Sequence, residues 1–485
     1  MAATTTEASL IERIGYRLSG IVERWMPSPF LFAIILTYIV FAVGMIWTPS
    51  GPAEMAWHWY DGFWAFLTFS MQMVLILMTG FVIAYHPRVN AGIRRLTRIP
   101  SSGKGAVVLV AVVTMALGWV HWGLSLILGA IFAREMGKTA HREGIEVHYP
   151  VLCVAGYMGL GLTWHWGLSG SAPLLLTDAA NIGEGTGFEF LTSTVPATQT
   201  ILHPYAIMLT IFSIVFATLV LYLLAPTGSR ARGITDYVDE ADLFGEESED
   251  VAAAISGEGG SGGQGETATD GGTEKMVPAE RINNNPILGG LIALTGVALV
   301  VYLFYDQGRN ALALNVVNFG FLFVGLLIYL RPQHYRDRFG DAARAAAGIV
   351  LLFPFFAGIQ GMMSGSGLAT DIAQALIDVS TTSTFPVFAW LSGAVVNLFV
   401  PSGGGEWLVL GPSILQAAQD VGVPIGQATM SYAVGDAHTN LLNPFWAIPL
   451  LAITEIKARE MFGYGIAMLL ALIPFLAVVL FFLPY

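Results

Sequence analysis

Two acids stand where an apolar chain least tolerates them. Glu406 closes the run NLFVPSGGGEW (397–407) and Asp436 lies in GDAHTNLLNPFW (435–446), each inside a long apolar stretch. A carboxylate at membrane depth is costly and is usually retained for function. Asp436, with Thr439 beside it, is therefore the first candidate to carry a coupling cation, Na⁺ or H⁺, and Glu406 the second; a helix cap is the other reading of Asp436. Neither acid, while ionised, can be the direct partner of an anion. That task suits Ser402 and the backbone N–H groups of Gly403, Gly404 and Gly405, which could cradle a carboxylate or simply make a tight turn. Asn397, Asn440 and Asn443 each bring an amide that donates and accepts, to substrate, to cation or to broken helix ends. The first half of the chain carries a corresponding set: His121, Trp122, Gly123, Ser125, Thr163, His165, Ser169 and Ser171. Trp122, Trp164 and Trp166 could wall a short acyl chain or serve packing.

Other chemistries lack their residues. His121, His141, His148, His165 and His203 form no H-E-x-x-H or comparable cluster, so neither an intramembrane enzyme nor a resident metal is expected. The lone Cys153 excludes a disulfide framework and a cysteine metal site. No G-x-x-x-x-G-K-[ST] loop is present to drive transport by nucleotide hydrolysis. No repeated pore loop argues for a channel. No cofactor and no nucleic-acid partner are expected; the partners are a small carboxylate and a lipid bilayer.

The elements that must hold these residues are membrane helices. Of 485 residues, 55% are hydrophobic and 12% charged, with mean hydropathy +0.65, the balance of an all-α polytopic membrane protein. Pro401 and the three glycines interrupt one apolar region and GDAHTNLLNP another. Unwound backbone survives in a bilayer only where protein buries it or a wet cavity receives it, and paired breaks are the mark of a transporter's site. Residues 228–285 hold four basic and thirteen acidic residues and most of the net charge of −12. With SGEGGSGGQGETATDGG at its centre, this reads as a disordered cytoplasmic linker.

Loop charges set an expected topology. Residues 1–28 show no secretory signal and alternate apolar with charged residues, as an amphipathic surface helix does. The first repeat, 29–227, opens with spans at about 30–47 and 62–84, followed by Arg88, Arg94, Arg95, Arg98 and Lys104, which place that loop and the N-terminus in the cytoplasm. Residues 105–136 then form a hairpin entered from the cytoplasm, with GWVHWG at its tip. Its arms of about fourteen helical residues would rise only about 21 Å in a core of about 30 Å. A crossing at 149–176, broken at GLGLTWHWGLSGS, and a span at 204–224 complete the repeat. The second unit, 286–485, adds an extra span and repeats the plan inverted, with a hairpin at 385–418 entered from outside and a broken crossing at 426–452. Nine crossings and two re-entrant hairpins leave the C-terminus external. Gly159, Thr163 and Pro173-Leu-Leu recur in spacing as Gly435, Thr439 and Pro449-Leu-Leu, and Gly123 and Gly129 as Gly405 and Gly411, in keeping with an inverted-topology repeat.

FVPSGGGEW, GDAHTNLLNPFWAIPLLAI, WGLSLILGAIFAREM, FPFFAGIQGMM and DGFWAFLTFSMQMVLILMTG together resemble the AtoE-like short-chain fatty acid transporters, over nearly the whole chain except the acidic linker. The resemblance implies uptake of small monocarboxylates such as acetoacetate or butyrate by cation-coupled symport at the plasma membrane. It also implies membership of a superfamily of anion carriers that move a hairpin-bearing domain as an elevator, by analogy as homodimers. A carrier of dicarboxylates or other organic anions is the alternative. No Lys or Arg reads convincingly as lying at membrane depth, which favours a monoanion.

Overall fold

The computed structural model describes residues 13, 17, 27–65, 67–182, 188–240, 243 and 278–485. The expected amphipathic segment at 1–28 and the core of the acidic linker lie almost wholly outside these residues. Among those described, every regular element is a helix. The first half runs α1 (Pro29–Trp47), α2 (Pro52–Ala65), α3 (Leu67–Ala84), α4 (Pro87–Leu96), α5 (Gly103–Val120), α6 (Trp122–Glu143), α7 (Tyr149–Met158), α8 (Ser171–Leu175) and α9 (Pro204–Leu224). The second runs α10 (Pro286–Gln307), α11 (Leu314–Tyr329), α12 (Pro332–Gly365), α13 (Leu368–Ile377), α14 (Phe385–Asn397), α15 (Gly403–Asp420), α16 (Ile425–Thr439), α17 (Ile448–Thr454) and α18 (Ala458–Phe482).

Sequence sets several of these starts directly. Pro29, Pro87, Pro204 and Pro286 each sit in a first turn behind Ser28, His86, His203 or Asn285, whose side chain accepts a backbone N–H. Proline there loses no hydrogen bond, and the cap satisfies one orphan donor. The same order recurs in both halves: a helix, a tight break, a second helix, then a helix that is itself interrupted. In the first half this is α5, α6 and the broken pair α7–α8; in the second it is α14, α15 and the broken pair α16–α17.

Glycine lets these units approach to backbone contact. A Cβ on Gly118 of α5 would stand 2.7 Å from the Cα of Gly159, and one on Gly156 of α7 2.6 Å from the carbonyl oxygen of Gly129 on α6. In the second half, a Cβ on Gly435 of α16 would meet the Ala394 nitrogen of α14 at 2.6 Å. Around this centre, α2 packs on α12, α3 on α6 and α12, and α17 on α6, so helices of one half cover those of the other. α10 packs on α11 at the periphery and leaves most of its apolar surface outward.

The structure departs from the sequence-based spans in three places. The interval between the first two expected spans lies largely in helix α2, and the second span, 62–84, takes in the end of α2 together with α3. The hairpin arms are longer than expected: α5 has 18 residues and α6 has 22, rising about 27 and 33 Å. Arm length therefore no longer argues that the first hairpin is re-entrant. α12 begins well before 348 and runs 34 residues, its first turns carrying Arg336, Asp337, Arg338, Asp341 and Arg344 in exposed ion pairs. Six helices among the described residues are long and apolar enough to cross a membrane alone, or seven if the pair bent by 71° at His86 counts as one. One of the six is α5. The expected nine crossings include the broken helices and α11, whose separate pieces are shorter than that.

Candidate functional site

The interruptions of the two halves meet at one place. α7 ends in a π-turn, Gly159–Thr163, in which Trp164 donates to the Gly159 carbonyl at 3.1 Å, and the chain stays non-helical until α8. His165 sits in that gap, wholly buried. Its Nε2 faces the Ala172 backbone N–H at 3.0 Å and the Ser171 hydroxyl at 3.1 Å. A backbone N–H can only donate, so Nε2 accepts and the ring proton belongs to Nδ1. Nδ1 lies 2.5 Å from Oδ2 of Asp436 in the last turn of α16. The contact is close, yet neither Asp436 oxygen has a well-aligned hydrogen bond.

Glu406, in the first turn of α15, completes the group. It is 1% exposed and neither carboxyl oxygen has a hydrogen-bond partner; it lies inside the protein, not at the mouth of a wet cavity. Tyr432 of α16 packs beside it, with its ring 4.7 Å from that of Trp407 and its hydroxyl donating to the Gly403 carbonyl at 3.3 Å. Gly403 is what permits the assembly. A Cβ there would lie 2.7 Å from Cε1 of His165, 2.9 Å from Cη2 of Trp164 and 3.0 Å from Oδ2 of Asp436.

The glycine run and Asp436 depart from expectation in conformation. Gly403, Gly404 and Gly405 do not form an unwound tip; they are the first turn of α15 behind Ser402, and none has a positive φ. The break is 398–402. Asp436 and Thr439 likewise lie within α16, and the interruption follows them at 440–447. Glycine is required here for close approach and not for a left-handed turn. The first-turn N–H groups of α15 have no acceptor within the helix, and the Ser402 side chain makes no cap hydrogen bond.

The three asparagines stitch these ends together. Asn397 Nδ2 reaches the Asp436 carbonyl at 2.7 Å, Thr439 Oγ1 at 2.9 Å and Asn440 Oδ1 at 3.2 Å. Asn440 donates across to the Leu160 carbonyl at 3.3 Å, and Asn443 accepts from the Phe445 N–H at 3.0 Å. In the first half, Ser125 donates to the Thr114 carbonyl at 2.6 Å, Thr163 to that of Met115 at 2.7 Å, and Ser169 Oγ accepts from the Trp122 N–H at 3.0 Å. These contacts close the first hairpin on its neighbour. His121 caps α6 by accepting from Leu124, and its ring lies 3.8 Å from that of Phe321 on α11. Gly123 packs on the Ile76 backbone. Of the first-half polar set, only His165 touches the acids.

Several residues of the site escaped the sequence reading. Trp446 donates to the Pro401 carbonyl at 2.9 Å and joins Trp122, Phe353 and Phe445 in an aromatic cluster. Gln360 of α12, 2% exposed, donates to the Gly405 carbonyl. A cavity of about 10 Å³ beneath Ser402 is lined by Ser70, Phe353, Phe356, Gln360, Pro401 and Phe445. A glutamine inside the apolar run FPFFAGIQGMM was the available signal. Among the described residues no His, Cys, Asp or Glu cluster could hold a metal ion.

Comparison with known proteins places this arrangement. A family model described as short chain fatty acid transporter matches residues 10–483. Two curated relatives carry the name "Putative short-chain fatty acid transporter". The one from Escherichia coli (strain K12) is 34% identical over 95% of this chain and 97% of its own. The one from Haemophilus influenzae (strain ATCC 51907 / DSM 11121 / KW20 / Rd) is 30% identical over 98% and 100%. The solved YdaH transporter of Alcanivorax borkumensis overlays at TM-score 0.46 with 15% identity, covering 93% of this chain and 98% of that one, a likeness too distant to carry inference. Apolar helices and relatives matched over nearly their whole length describe a multi-pass membrane transporter and not an enzyme: the chain belongs to the short-chain fatty acid transporter family.

Proposed function

We propose that this chain carries small monocarboxylates, acetoacetate and butyrate among them, across the plasma membrane in symport with a cation taken up at Asp436. The observation that carries the reading is the start of α15. Its first-turn N–H groups have no acceptor within the helix, Ser402 makes no cap hydrogen bond, and Ser402 lines the cavity of about 10 Å³ walled by Phe353, Phe356 and Phe445, which must widen to admit an acyl chain. The carboxylate is held by N–H donors and Ser402, and the short acyl chain lies against Phe353, Phe356 and Phe445. No Lys or Arg occurs in α14, α15, α16, α8 or residues 164–170, so nothing there neutralises the second charge of a dianion.

In this reading the two helix–break–helix units are re-entrant hairpins of an inverted repeat, entered from opposite sides, with the N-terminus and acidic linker cytoplasmic and the C-terminus external. The hairpin-bearing part moves as an elevator within a homodimer. Uptake of a labelled carboxylate panel by proteoliposomes, with and without a Na⁺ gradient, tests the proposal. Butyrate and acetoacetate should accumulate and succinate should not compete; preferential uptake of succinate would overturn the monoanion assignment.

A further inference from the structure

The acids carry more than a general coupling role, and their surroundings discriminate between the candidate ions. Three oxygens at the C-terminal end of α16 are of the kind a sodium ion takes: the Asp436 carbonyl, Thr439 Oγ1 and Asn440 Oδ1. The amide nitrogen of Asn397 lies 2.7, 2.9 and 3.2 Å from them, and its two N–H bonds engage two of the three at a time. On the carboxylate side, Oδ2 of Asp436 faces the ring N–H of His165, a donor that repels a metal cation. The histidine cannot turn its other nitrogen inward without leaving the Ala172 N–H without an acceptor.

The remaining neighbours have no positive charge. The groups beside the carboxyls of Asp436 and Glu406 are His165, from the gap before α8, and Tyr432, from α16, while Asn397 of α14 reaches the Asp436 backbone carbonyl and Gln360 of α12 the Gly405 carbonyl. His438, on the same helix as Asp436, is turned away to the Leu469 carbonyl at 2.9 Å. Two ionised carboxylates with an anionic substrate would place three negative charges in a dry site with no counter-charge. Like charges buried in one site without a counter-charge disfavour ionising both groups at once.

We propose that the coupling ion is a proton, held by the Asp436–Glu406 carboxyl pair and set in place by neutral His165. It rests on the transport reading for its purpose, but the proton site stands on its own geometry. The step is a simple exchange: a carboxylate of the pair takes H⁺ from hydronium at one membrane face, an O–H bond of hydronium breaking as the carboxyl O–H forms, and returns it to water at the other. The substrate anion and the proton thus move together without net charge. His165 is a positioning residue. Its Nδ1 faces Oδ2 of Asp436 while its Nε2 is committed to the Ala172 N–H.

Infrared difference spectroscopy of the full-length protein in lipid reads the proton directly. Wild type should show the carbonyl stretch of a neutral carboxylic acid at neutral pH, lost on alkaline titration and shifted by butyrate. Asp436→Asn and Glu406→Gln should each remove or displace that band, and His165→Gln should move its titration. Absence of the band throughout the titration would overturn the proposal. In proteoliposomes an internal pH dye should report about one proton per anion above protein-free vesicles. Uptake that needs Na⁺ and brings no proton would overturn it too, and would mean that Asn397 turns its carbonyl toward the three oxygens. Butyrate counterflow without any gradient tests the transport reading separately: no counterflow with the band intact would remove the substrate and keep the proton site.

Discussion

At the scale of single residues, the site depends on a side chain that is missing. Gly403→Ala puts a methyl group within 3.0 Å of His165, Trp164 and Asp436 at once. None of the three is the free end of a flexible chain, so the first turn of α15 must shift. We expect counterflow to fall by roughly tenfold or more while expression, read by fluorescence size exclusion, changes little. Wild-type counterflow in Gly403→Ala would show that the contact has no part in transport. Glu406 and Asp436 were legible in the sequence because an acid in an apolar run has few innocent explanations. The partner of Asp436 was not. His165 stood among six polar residues of the first half, and no local pattern says which of them crosses to the other half. The conformation of Gly403 to Gly405 was misread for a related reason. A glycine run signals either a turn or a close approach, and only the neighbours decide which.

At the scale of elements, glycine again separates what matters from what does not. α2 and α12 touch through Gly62 and Gly361, where a Cβ on Gly361 would lie 2.5 Å from the Gly62 Cα. Gly340, on the same helix as Gly361, has nothing within 4 Å of its Cβ position. Gly361→Val should cost about 1–3 kcal/mol by overpacking, whereas Gly340→Ala should add up to about 1 kcal/mol of helix stability; thermal melts of the detergent-solubilised protein would order them. Equal melting temperatures would refute the close contact. α2 itself was hidden because Glu54 and Asp61 read as a polar loop. A signal was present in Pro52, and in Glu54, which accepts the Gly51 N–H at 2.8 Å. An apolar-length criterion starts every helix at the edge of the bilayer and overlooks those that begin outside it, which also explains the early start of α12.

Outside the spans, one histidine gives the fold a pH dependence. His148, just before α7, accepts from the Arg232 backbone N–H at 3.0 Å. Burial, and after it the Arg232 charge, push its pKa down to about 3. Because the folded pKa is depressed, the unfolded segment binds a proton first as pH falls below about 6.5, and the docking of residues 228–238 weakens from there toward about pH 3. Hydrogen-exchange protection in that segment, corrected for the pH dependence of intrinsic exchange, should fall between pH 7.5 and pH 5 in wild type and stay flat in His148→Asn. A flat profile in wild type would contradict the assignment.

For the whole molecule, cysteine labelling tests the inverted arrangement. The native Cys153 is buried and contributes little background. Cysteines at Ser102 and Thr139 should both label from the cytoplasm, and those at Thr384 and Gln419 both from outside; labelling of either pair from opposite faces would refute re-entrant hairpins. The order of elements was legible in the sequence, since apolar length, breaks and loop charge are local properties. How the halves interlock was not: α17 lies on α6, Tyr149 donates to the Thr454 carbonyl at 2.8 Å, and Arg134 pairs with Glu455 at 2.6 Å, all contacts between residues far apart in the chain.

His165 and Asp436 come from opposite sides of the acidic linker, so the polar centre has no complete form in either half alone. During synthesis, α16 enters the bilayer carrying Asp436, whose facing histidine lies in the earlier half, and an unmatched acid there costs a few kcal/mol. The contact is thus also an assembly checkpoint. Fragments 1–240 and 278–485 produced in one cell should recover each other and counterflow activity, whereas the second fragment alone should be degraded by membrane quality control.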